Sequence, residues 1–283
     1  MSKASIDLGD VAETLLITLY FRAVESQRPD ALVKDEQAVA LMNWIDYDFS
    51  RFRRQLFDLV PTILRVRQFD RYTRAFLAEH PDGRVVQIGC GLDTRFDRVD
   101  NGRVEWHDLD LPNVIALRRQ LLPETSRCHF IGCSALDFAW MDFVANNDGR
   151  PTLFLAEGVF PYFEGADVKR LVSALQERFP GAELIFDAMS PFLAWLHNLE
   201  LAAQGLEARL HWGLRQGKEL ETWNPGIRLL DEWFYYDEPE PRLGLHRLLG
   251  KIPPVGGGYR VVRYRLGASS VKEHGNRSEK ERW

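Results

Sequence analysis

A short apolar run that ends in two glycines constrains this chain more than any other feature. The run Val85-Val86-Gln87-Ile88 precedes the turn Gly89-Cys90-Gly91, and Asp93-Thr94-Arg95 follows it. Such a run predicts a strand that is buried on both faces of a parallel sheet. Because glycine has no Cβ, the backbone after the strand can turn at positive φ and lie against a bound ligand. Strand-ending glycine turns are also ordinary structural bends, so the turn alone leaves both interpretations open.

The spacing of the glycines bears on the kind of ligand. A dinucleotide fingerprint has a third glycine three positions after the second, where it lets a helix pack close beneath a pyrophosphate. Thr94 occupies that position here, which argues against NAD and against a hydride-transferring enzyme. The turn is better suited to the amino-acid end of S-adenosylmethionine, which carries no phosphate.

A second predicted strand, 104–107, follows the first by about twenty residues and leads into acidic residues, and Pro112 then opens a helix. In α/β nucleotide-binding folds, a carboxylate at the end of the second strand accepts hydrogen bonds from ribose hydroxyls. Asp110 is the favoured candidate because it immediately precedes Leu111 and the proline. A helix-capping role for Asp110, and Asp108 as the ribose ligand, are the alternatives.

Three motifs occur in order along the chain. They are Gly-Cys-Gly-Leu-Asp-Thr-Arg at 89–95, Asp-Leu-Asp-Leu-Pro at 108–112 and Phe-Leu-Ala-Glu-Gly-Val-Phe-Pro-Tyr-Phe at 154–163. In this combination the chain resembles the leucine carboxyl methyltransferase family, and within it the bacterial polyketide O-methyltransferases of the tetracenomycin type, from about Glu13 to Gly267. The resemblance implies S-adenosylmethionine as the cofactor and methyl transfer to an oxygen of a small acceptor.

The resemblance also implies individual contacts to the cofactor. Arg65 matches the arginine that pairs with the cofactor carboxylate, and Arg67 is close enough in sequence to take that role instead. Ser134 and Ala135 match the adenine contact, where another branch of the family has an acid. Asp137 is the alternative source of that contact.

Glu157 follows the apolar predicted strand 152–156. An acid at the end of an apolar strand is predicted to face the cationic amino group of the cofactor, and a capping or salt-bridged acid is the alternative. The complete predicted set of cofactor-binding residues is Arg65, Gly89, Cys90, Gly91, Asp110, Leu111, Ser134, Ala135, Asp137 and Glu157.

The acceptor pocket is expected to come from aromatic residues. The segment 192–215 is predicted to be a helix that is inserted after the fifth strand, where it lies above the carboxyl ends of the strands and forms a lid with the N-terminal helices. Trp195 and Trp212 of this segment, with Tyr162 and Phe163, are the predicted acceptor contacts. Packing of these aromatic residues in the core is the alternative.

The order of elements predicts the fold. Helical spacing of apolar residues marks the N-terminal quarter, and strands alternate with helices after it, as in an α/β, doubly wound, mostly parallel Rossmann-like class I methyltransferase sheet. The predicted helices are 10–24, 36–59, 63–79, 113–121 and 166–179, and the later strands are 129–132, 152–156 and 183–186. Residues 259–266 alternate between apolar and basic types, which predicts a half-exposed strand near the sheet edge.

We expect a single domain over 1–268 and a disordered tail over 269–283, because the tail is rich in polar and charged residues. The predicted parts of the domain are an N-terminal helical cap (1–80), a cofactor-binding core (81–190), a helical lid (191–222) and C-terminal strands (223–268).

Composition excludes several classes of partner. The net charge is −5 and the basic residues are scattered, so nucleic acid is not expected as a partner. No uninterrupted apolar run approaches the roughly 18 residues that span a bilayer, and the polar start resembles no export signal. The three cysteines lack metal-ligand spacing, so we expect no metal site and a reducing, cytoplasmic setting. The expected partner is a small molecule, and the sequence leaves the oligomeric state open.

The chemistry follows from the cofactor. Transfer of a methyl group from a sulfonium is an in-line displacement, in which the protein chiefly aligns the acceptor and excludes water. A carboxylate acceptor is ionised at neutral pH and needs no base, whereas a phenol would. We therefore predict methylation of a carboxylate on a polyketide-like molecule and assign no catalytic residue. A non-catalytic protein that binds S-adenosylmethionine is the alternative, because Ser134 replaces the acid of related proteins.

Overall fold

The computed structural model describes residues 11–145, 148–203, 208–253 and 255–268, with the backbone alone for 11–14. Within these residues, seven strands form one sheet in the order β3-β2-β1-β4-β5-β7-β6. The strands are β1 (Arg84–Ile88), β2 (Glu105–Asp110), β3 (Cys128–Gly132), β4 (Thr152–Ala156), β5 (Glu183–Met189), β6 (Ile227–Phe234) and β7 (Tyr259–Leu266). The first five are parallel, and β7 runs antiparallel to both of its neighbours. The predicted α/β Rossmann-like fold is confirmed.

Helices cover both faces of the sheet. They are α1 (Val11–Ser26), α2 (Glu36–Trp44), α3 (Leu59–Glu79), α4 (Arg95–Val99), α5 (Pro112–Leu121), α6 (Trp140–Ala145), α7 (Gly165–Arg178), α8 (Pro191–Ala203) and α9 (Leu245–Leu249). Because both faces are covered, β1 and β4 are buried along their whole length. This burial explains why the two strands read as continuous apolar runs in the sequence.

The predicted helix over 36–59 is wrong in its second half. The α-helix ends at Trp44, and a 3-10 helix over Phe49–Asp58 follows. Asp48 begins this second segment, because its side chain accepts a hydrogen bond from the Ser50 N–H at 3.0 Å. The helical spacing of apolar residues predicted one continuous helix and missed the break before Asp48, which caps the second segment.

The predicted helix over 192–215 is also too long. The helix α8 ends at Ala203, and residues 208–210 have no regular structure. The side chain of Asn198 in α8 forms two hydrogen bonds with the backbone of Leu210. Its amide N–H donates to the Leu210 carbonyl oxygen, and its oxygen accepts from the Leu210 N–H, each at 2.8 Å. The backbone N–H of His211 donates to the Pro161 oxygen at 2.7 Å. These contacts satisfy backbone groups that a helix would otherwise pair internally.

The strand 259–266 was predicted near the sheet edge, but β7 lies between β5 and β6. Its basic residues are paired with acids on the neighbouring strands, since Arg260 bonds Glu232 at 2.6 Å and Arg263 bonds Glu183 at 2.7 Å. Cross-strand pairing thus neutralises charges that in the sequence suggested exposure to solvent.

The carboxyl ends of β1, β2 and β4 meet at one edge of the sheet, and the candidate site lies there. The division of the chain into cap, core, lid and C-terminal strands stays a prediction. The predicted disordered tail, 269–283, lies outside the described residues. In the part of the chain that the structure describes, no helix is long and apolar enough to cross a membrane.

Candidate functional site

The turn after β1 has no room for side chains at its two glycines. Gly89 and Gly91 have φ angles of 65° and 52°. A Cβ at Gly89 would lie 2.4 Å from Val159 Cγ2, and one at Gly91 would lie 2.4 Å from Leu15 Cδ2. The glycines thus allow both the left-handed backbone and the close approach of α1 and the segment after β4.

A cavity of about 490 Å³ lies next to this turn. This volume is within the usual range for a small-molecule site. The predicted site residues that line it are Gly89, Asp110, Leu111, Ser134, Ala135, Tyr162 and Phe163. The sequence analysis missed the lining residues Leu15, Leu109, Cys133, Gly158, Val159 and Ala208. Most of these are sequence neighbours of predicted residues, whereas Leu15 and Ala208 reach the cavity only through tertiary packing.

Asp110, and not Asp108, faces the cavity. The Asp110 carboxylate accepts hydrogen bonds from the N–H groups of Gly91 and Leu111, both at 2.7 Å. Burial raises the pKa of Asp110, although these two donors oppose the effect. Asp108 is buried and accepts from Arg118 at 2.5 Å. Asp108 is therefore part of the core, and Asp110 is left as the acid that a ribose could reach.

The segment after β3 supplies another wall of the cavity. Ser134 and Ala135 lie in this wall with Cys133, whose backbone N–H donates to the backbone carbonyl oxygen of Asp110 at 2.9 Å. Asp137 does not line the cavity, because its exposed carboxylate accepts from the Ala139 N–H at 3.3 Å in the next turn. The geometry thus favours Ser134 over Asp137 as a contact for a ligand in this cavity.

Arg65 and Glu157 are bound to each other and do not line the cavity. The Arg65 Nε donates to Glu157 at 2.9 Å, and its Nη1 donates to Asp187 at 3.1 Å. The second oxygen of Glu157 accepts from Arg95 at 2.5 Å. The cluster adjoins the cavity at Gly158, whose N–H donates to Asp187 at 2.5 Å. Glu157 is thus a salt-bridged acid here, and its contact with a cofactor ammonium stays a prediction.

Arg67, the alternative to Arg65, lies in a different environment. Its guanidinium pairs with Glu238 in the C-terminal part of the chain. Neither arginine lines the cavity, but only Arg65 belongs to the cluster that includes Glu157. The structure therefore places Arg65, and not Arg67, in the cluster that adjoins the cavity, and its pairing with a cofactor carboxylate stays a prediction.

A buried network of charges extends from Glu157 to the N-terminal helices. Arg95 bonds Asp70 at 2.8 Å and lies 2.8 Å from Asp93, and Arg22 of α1 bonds Asp93 at 2.7 Å. Burial alone would raise the pKa of Asp93, but the surrounding arginines hold it well below its ordinary value. Asp93 and Arg95 of the first motif therefore link the turn to α1 and α3 through ion pairs. The network consists of Arg22, Arg65, Arg95, Arg98, Asp35, Asp70, Asp93, Glu157 and Asp187.

The aromatic residues predicted for the acceptor pocket divide into two groups. Tyr162 and Phe163 line the cavity. Trp212 does not, because it is 8% exposed and packs in the core, with its ring 5.9 Å from that of Phe186. Trp195 lies on α8, is 56% exposed and also does not line the cavity. The predicted pocket role of Trp212 is therefore corrected to core packing.

Two residues of the glycine turn lie beside the cavity without lining it. Gly91 packs under Leu15, and the buried Cys90 side chain points toward the Gly91 oxygen, with Sγ at 3.8 Å. Burial raises the pKa of the Cys90 thiol well above its ordinary value, so it is a packed thiol and not a nucleophile. Among the described residues, no group of three or more His, Cys, Asp or Glu side chains could hold a metal ion.

A fold comparison supports this architecture. A duf574 family protein from Streptomyces avermitilis superposes with a TM-score of 0.57 and 17% sequence identity, covering 89% of this chain and 96% of that one. At this identity the likeness shows the fold alone.

Sequence comparisons identify the family. The model of the leucine carboxyl methyltransferase family matches residues 15–176. The tetracenomycin polyketide synthesis O-methyltransferase TcmP of Streptomyces glaucescens is 37% identical over 267 residues, which cover 92% of this chain and 98% of that protein. The S-adenosyl-L-methionine-dependent methyltransferase dpfgK of Gibberella zeae is 31% identical, with 83% and 85% covered. This chain therefore belongs to the leucine carboxyl methyltransferase family.

Proposed function

We propose that this protein is an S-adenosylmethionine-dependent O-methyltransferase whose acceptor is a carboxylate of a polyketide-like small molecule. One observation carries the proposal: the same cavity is lined by Gly89 and Asp110 and by Tyr162 and Phe163. The first pair suits the adenosine part of the cofactor, and the aromatic pair suits a flat, apolar acceptor. The relationship to the tetracenomycin enzyme supports the same reaction.

The residues present fit the proposed cofactor. Each carboxylate oxygen of Asp110 accepts one backbone hydrogen bond and retains capacity to accept from a ribose hydroxyl. Gly89 lines the cavity, and because it has no side chain its backbone is open to a ligand there. Arg65 would bind the carboxylate of the methionine part, and Glu157 would bind its ammonium. When bound, the cofactor supplies the methyl group as part of a sulfonium.

Among the described residues, the side chains that line the cavity offer no obvious base. Its polar side chains are those of Asp110, Cys133, Ser134 and Tyr162. Burial raises the pKa of Tyr162, so its phenol stays protonated at neutral pH. Asp110 is tied to the backbone of the turn. A carboxylate acceptor, ionised without help, suits this cavity better than a phenol that must lose a proton.

The proposal is tested by product analysis. The protein is incubated with S-adenosylmethionine and a panel of matched aromatic carboxylic acids and phenols, and the methylated products are found by mass spectrometry. We expect a methyl ester that mild alkali hydrolyses. An alkali-stable methyl ether as the main product would overturn the carboxylate assignment, and failure to bind the cofactor would overturn the methyltransferase assignment.

A further inference from the structure

We propose that Asp187 and Tyr235 are positioning residues that hold Arg65 in place for the carboxylate of the cofactor. This inference rests on the proposed function, because it assumes that Arg65 meets the methionine part of S-adenosylmethionine. Neither residue belongs to the three sequence motifs. Asp187 comes from the central sheet, and Tyr235 comes from the C-terminal part of the chain.

Asp187 joins the wall of the cavity to Arg65. It follows Phe186, the last residue of β5 that pairs with β4, and its side chain lies beside the end of that strand. One carboxylate oxygen accepts from the Gly158 N–H at 2.5 Å, and the other accepts from Arg65 Nη1 at 3.1 Å. Asp187 is only 6% exposed. A single buried carboxylate therefore fixes the arginine relative to the backbone that lines the cavity.

Tyr235 lies beside the same arginine. It is buried in a 3-10 turn over Tyr235–Asp237, directly after β6, and its phenol interacts electrostatically with the Arg65 guanidinium. The ring packs against Trp233 and Tyr259, at centroid distances of 5.3 and 5.8 Å. Burial raises the pKa of Tyr235 well above its ordinary value, so the phenol is a neutral partner for the cation. The aromatic packing restricts where the hydroxyl can lie.

These contacts leave part of the guanidinium available for the cofactor. Arginine has five N–H donors. The bonds to Glu157 and Asp187 use the Nε donor and one Nη1 donor, and a bond to the Tyr235 hydroxyl would use a third, which leaves two for a carboxylate. A carboxylate binds two parallel N–H donors of a guanidinium. The affinity of Arg65 for the cofactor carboxylate therefore depends on how the planar guanidinium is oriented. Burial alone would lower the pKa of Arg65, but Asp187 and Glu157 raise it well above its ordinary value. Arg65 is thus a charged fork that is held from several sides.

The test compares two ligands that differ only in the group that Arg65 should bind. Dissociation constants for S-adenosylmethionine and decarboxylated S-adenosylmethionine are measured by calorimetry for the full chain and for Asp187→Asn. The amide can still accept from the Gly158 N–H, but it loses the charge that holds Arg65. We expect Asp187→Asn to weaken binding of S-adenosylmethionine about tenfold, as for loss of a charged hydrogen bond. Binding of the decarboxylated ligand should change less than about twofold.

Glu183→Gln is the matched control for this variant. Glu183 is a buried acid at the other end of β5, where it pairs with Arg263 and Arg265. This control removes a buried paired charge from the same strand without touching Arg65. We expect it to lower thermal stability and to leave the affinity ratio of the two ligands unchanged.

Tyr235→Phe tests the inference independently, also in case Asp187→Asn does not fold. It should weaken binding of S-adenosylmethionine about threefold, as for a neutral hydrogen bond, and spare the decarboxylated ligand. Tyr259→Phe is its control, because the Tyr259 hydroxyl lies 2.6 Å from His197 and is not an Arg65 contact. Equal weakening for both ligands, no weakening, or tighter binding would each overturn the positioning role. If the unaltered protein binds neither ligand, the proposed function itself fails.

Discussion

Gly89 and Gly91 have similar φ angles but different surroundings. Alanine at either position would have to adopt a left-handed backbone, at a cost of about 1–2 kcal/mol. At Gly91 the new methyl group would meet the end of the flexible Leu15 side chain, which can move. At Gly89 it would meet Val159, whose β-branched side chain is stiff. We expect Gly89→Ala to lower the free energy of unfolding in urea by about 1 kcal/mol more than Gly91→Ala. Equal losses of unfolding free energy would show that the strain of the left-handed backbone alone accounts for the effect of both substitutions.

Asp110 and Asp108 are two residues apart and should respond differently to substitution. Asp110→Ala removes acceptors that face the cavity, so binding of S-adenosylmethionine should weaken by about 1.5–3 kcal/mol in calorimetry. Asp108→Ala leaves Arg118 buried without its partner, so it should lower the free energy of unfolding by about 3–5 kcal/mol. The folded fraction of Asp108→Ala should still bind the cofactor. Unchanged cofactor affinity in Asp110→Ala would make Asp110 a purely structural residue.

The sequence predicted those site residues that lie at the ends of strands. Asp110 is the last residue of β2, and Gly89 and Ser134 come after β1 and β3. Parallel strands bring their carboxyl ends together whatever the rest of the chain does. Asp187 directly follows the predicted strand 183–186 and so carried the same signal, but it was not singled out, whereas Tyr235 carried no such signal. Their proximity to Arg65 depends on the pairing of β5, β7 and β6 and on packing between distant segments, which no local pattern records.

The helices α1, α3 and α4 are joined through buried ion pairs, which should make this part of the protein sensitive to acid. The arginines around Asp93 hold its pKa in the folded protein well below the value of about 3.9 in an unfolded chain. The unfolded state therefore binds more protons at low pH. The stabilisation is complete above about pH 4 and is lost as the pH falls through the folded pKa. Acid should weaken the attachment of α1 to the turn.

Asp93→Asn tests this expectation. At pH 7 it should lower the free energy of unfolding in urea by about 3–5 kcal/mol, because it leaves Arg22 and Arg95 short of a partner. The difference from the unaltered protein should shrink as the pH is lowered below about 4. Asp82→Asn, which removes an exposed partner of Arg103, is the control and should have little effect at any pH. A difference that is constant with pH would contradict the assignment to Asp93.

The elements that the sequence missed are those stabilised by distant contacts. The strands β1 and β4 were found because each is buried along its length and mostly apolar on its own. The strand β6 was not, since it lies at the edge of the sheet and its residues alternate irregularly between exposed and half-buried. Its identity as a strand depends on pairing with β7, about thirty residues away in the chain. Local periodicity cannot report that pairing.

The order of the strands explains where the cavity lies. The chain runs outward from β1 to β3 on one side and continues from β4 on the other, so β1 and β4 are neighbours at the point where the order reverses. Ligands of open α/β sheets bind at this point, beyond the carboxyl ends of the strands. Leu15 of α1 and Ala208 of the segment after α8 complete the wall. The cofactor part of the site thus belongs to the common fold, whereas these added segments are the places where acceptor specificity can vary.

The dependence of turnover on pH tests how the complete site works. A carboxylate acceptor with a pKa near 4 is ionised throughout the range from about pH 6 to 9, so kcat should stay nearly constant across it. Within the described residues no histidine lines the cavity, and the raised pKa of Tyr162 keeps its phenol protonated in this range. Asp110, the acid among the described lining residues, is proposed to bind the cofactor and not the acceptor, so no group on the enzyme should impose its own pH dependence on kcat at saturating cofactor. The measurement is kcat at saturating concentrations of both substrates, with thermal unfolding at each pH as the control for stability. A rate that climbs steadily with pH would mean that the acceptor must lose a proton first, and it would replace the carboxylate with a phenol while leaving the cofactor site as it stands.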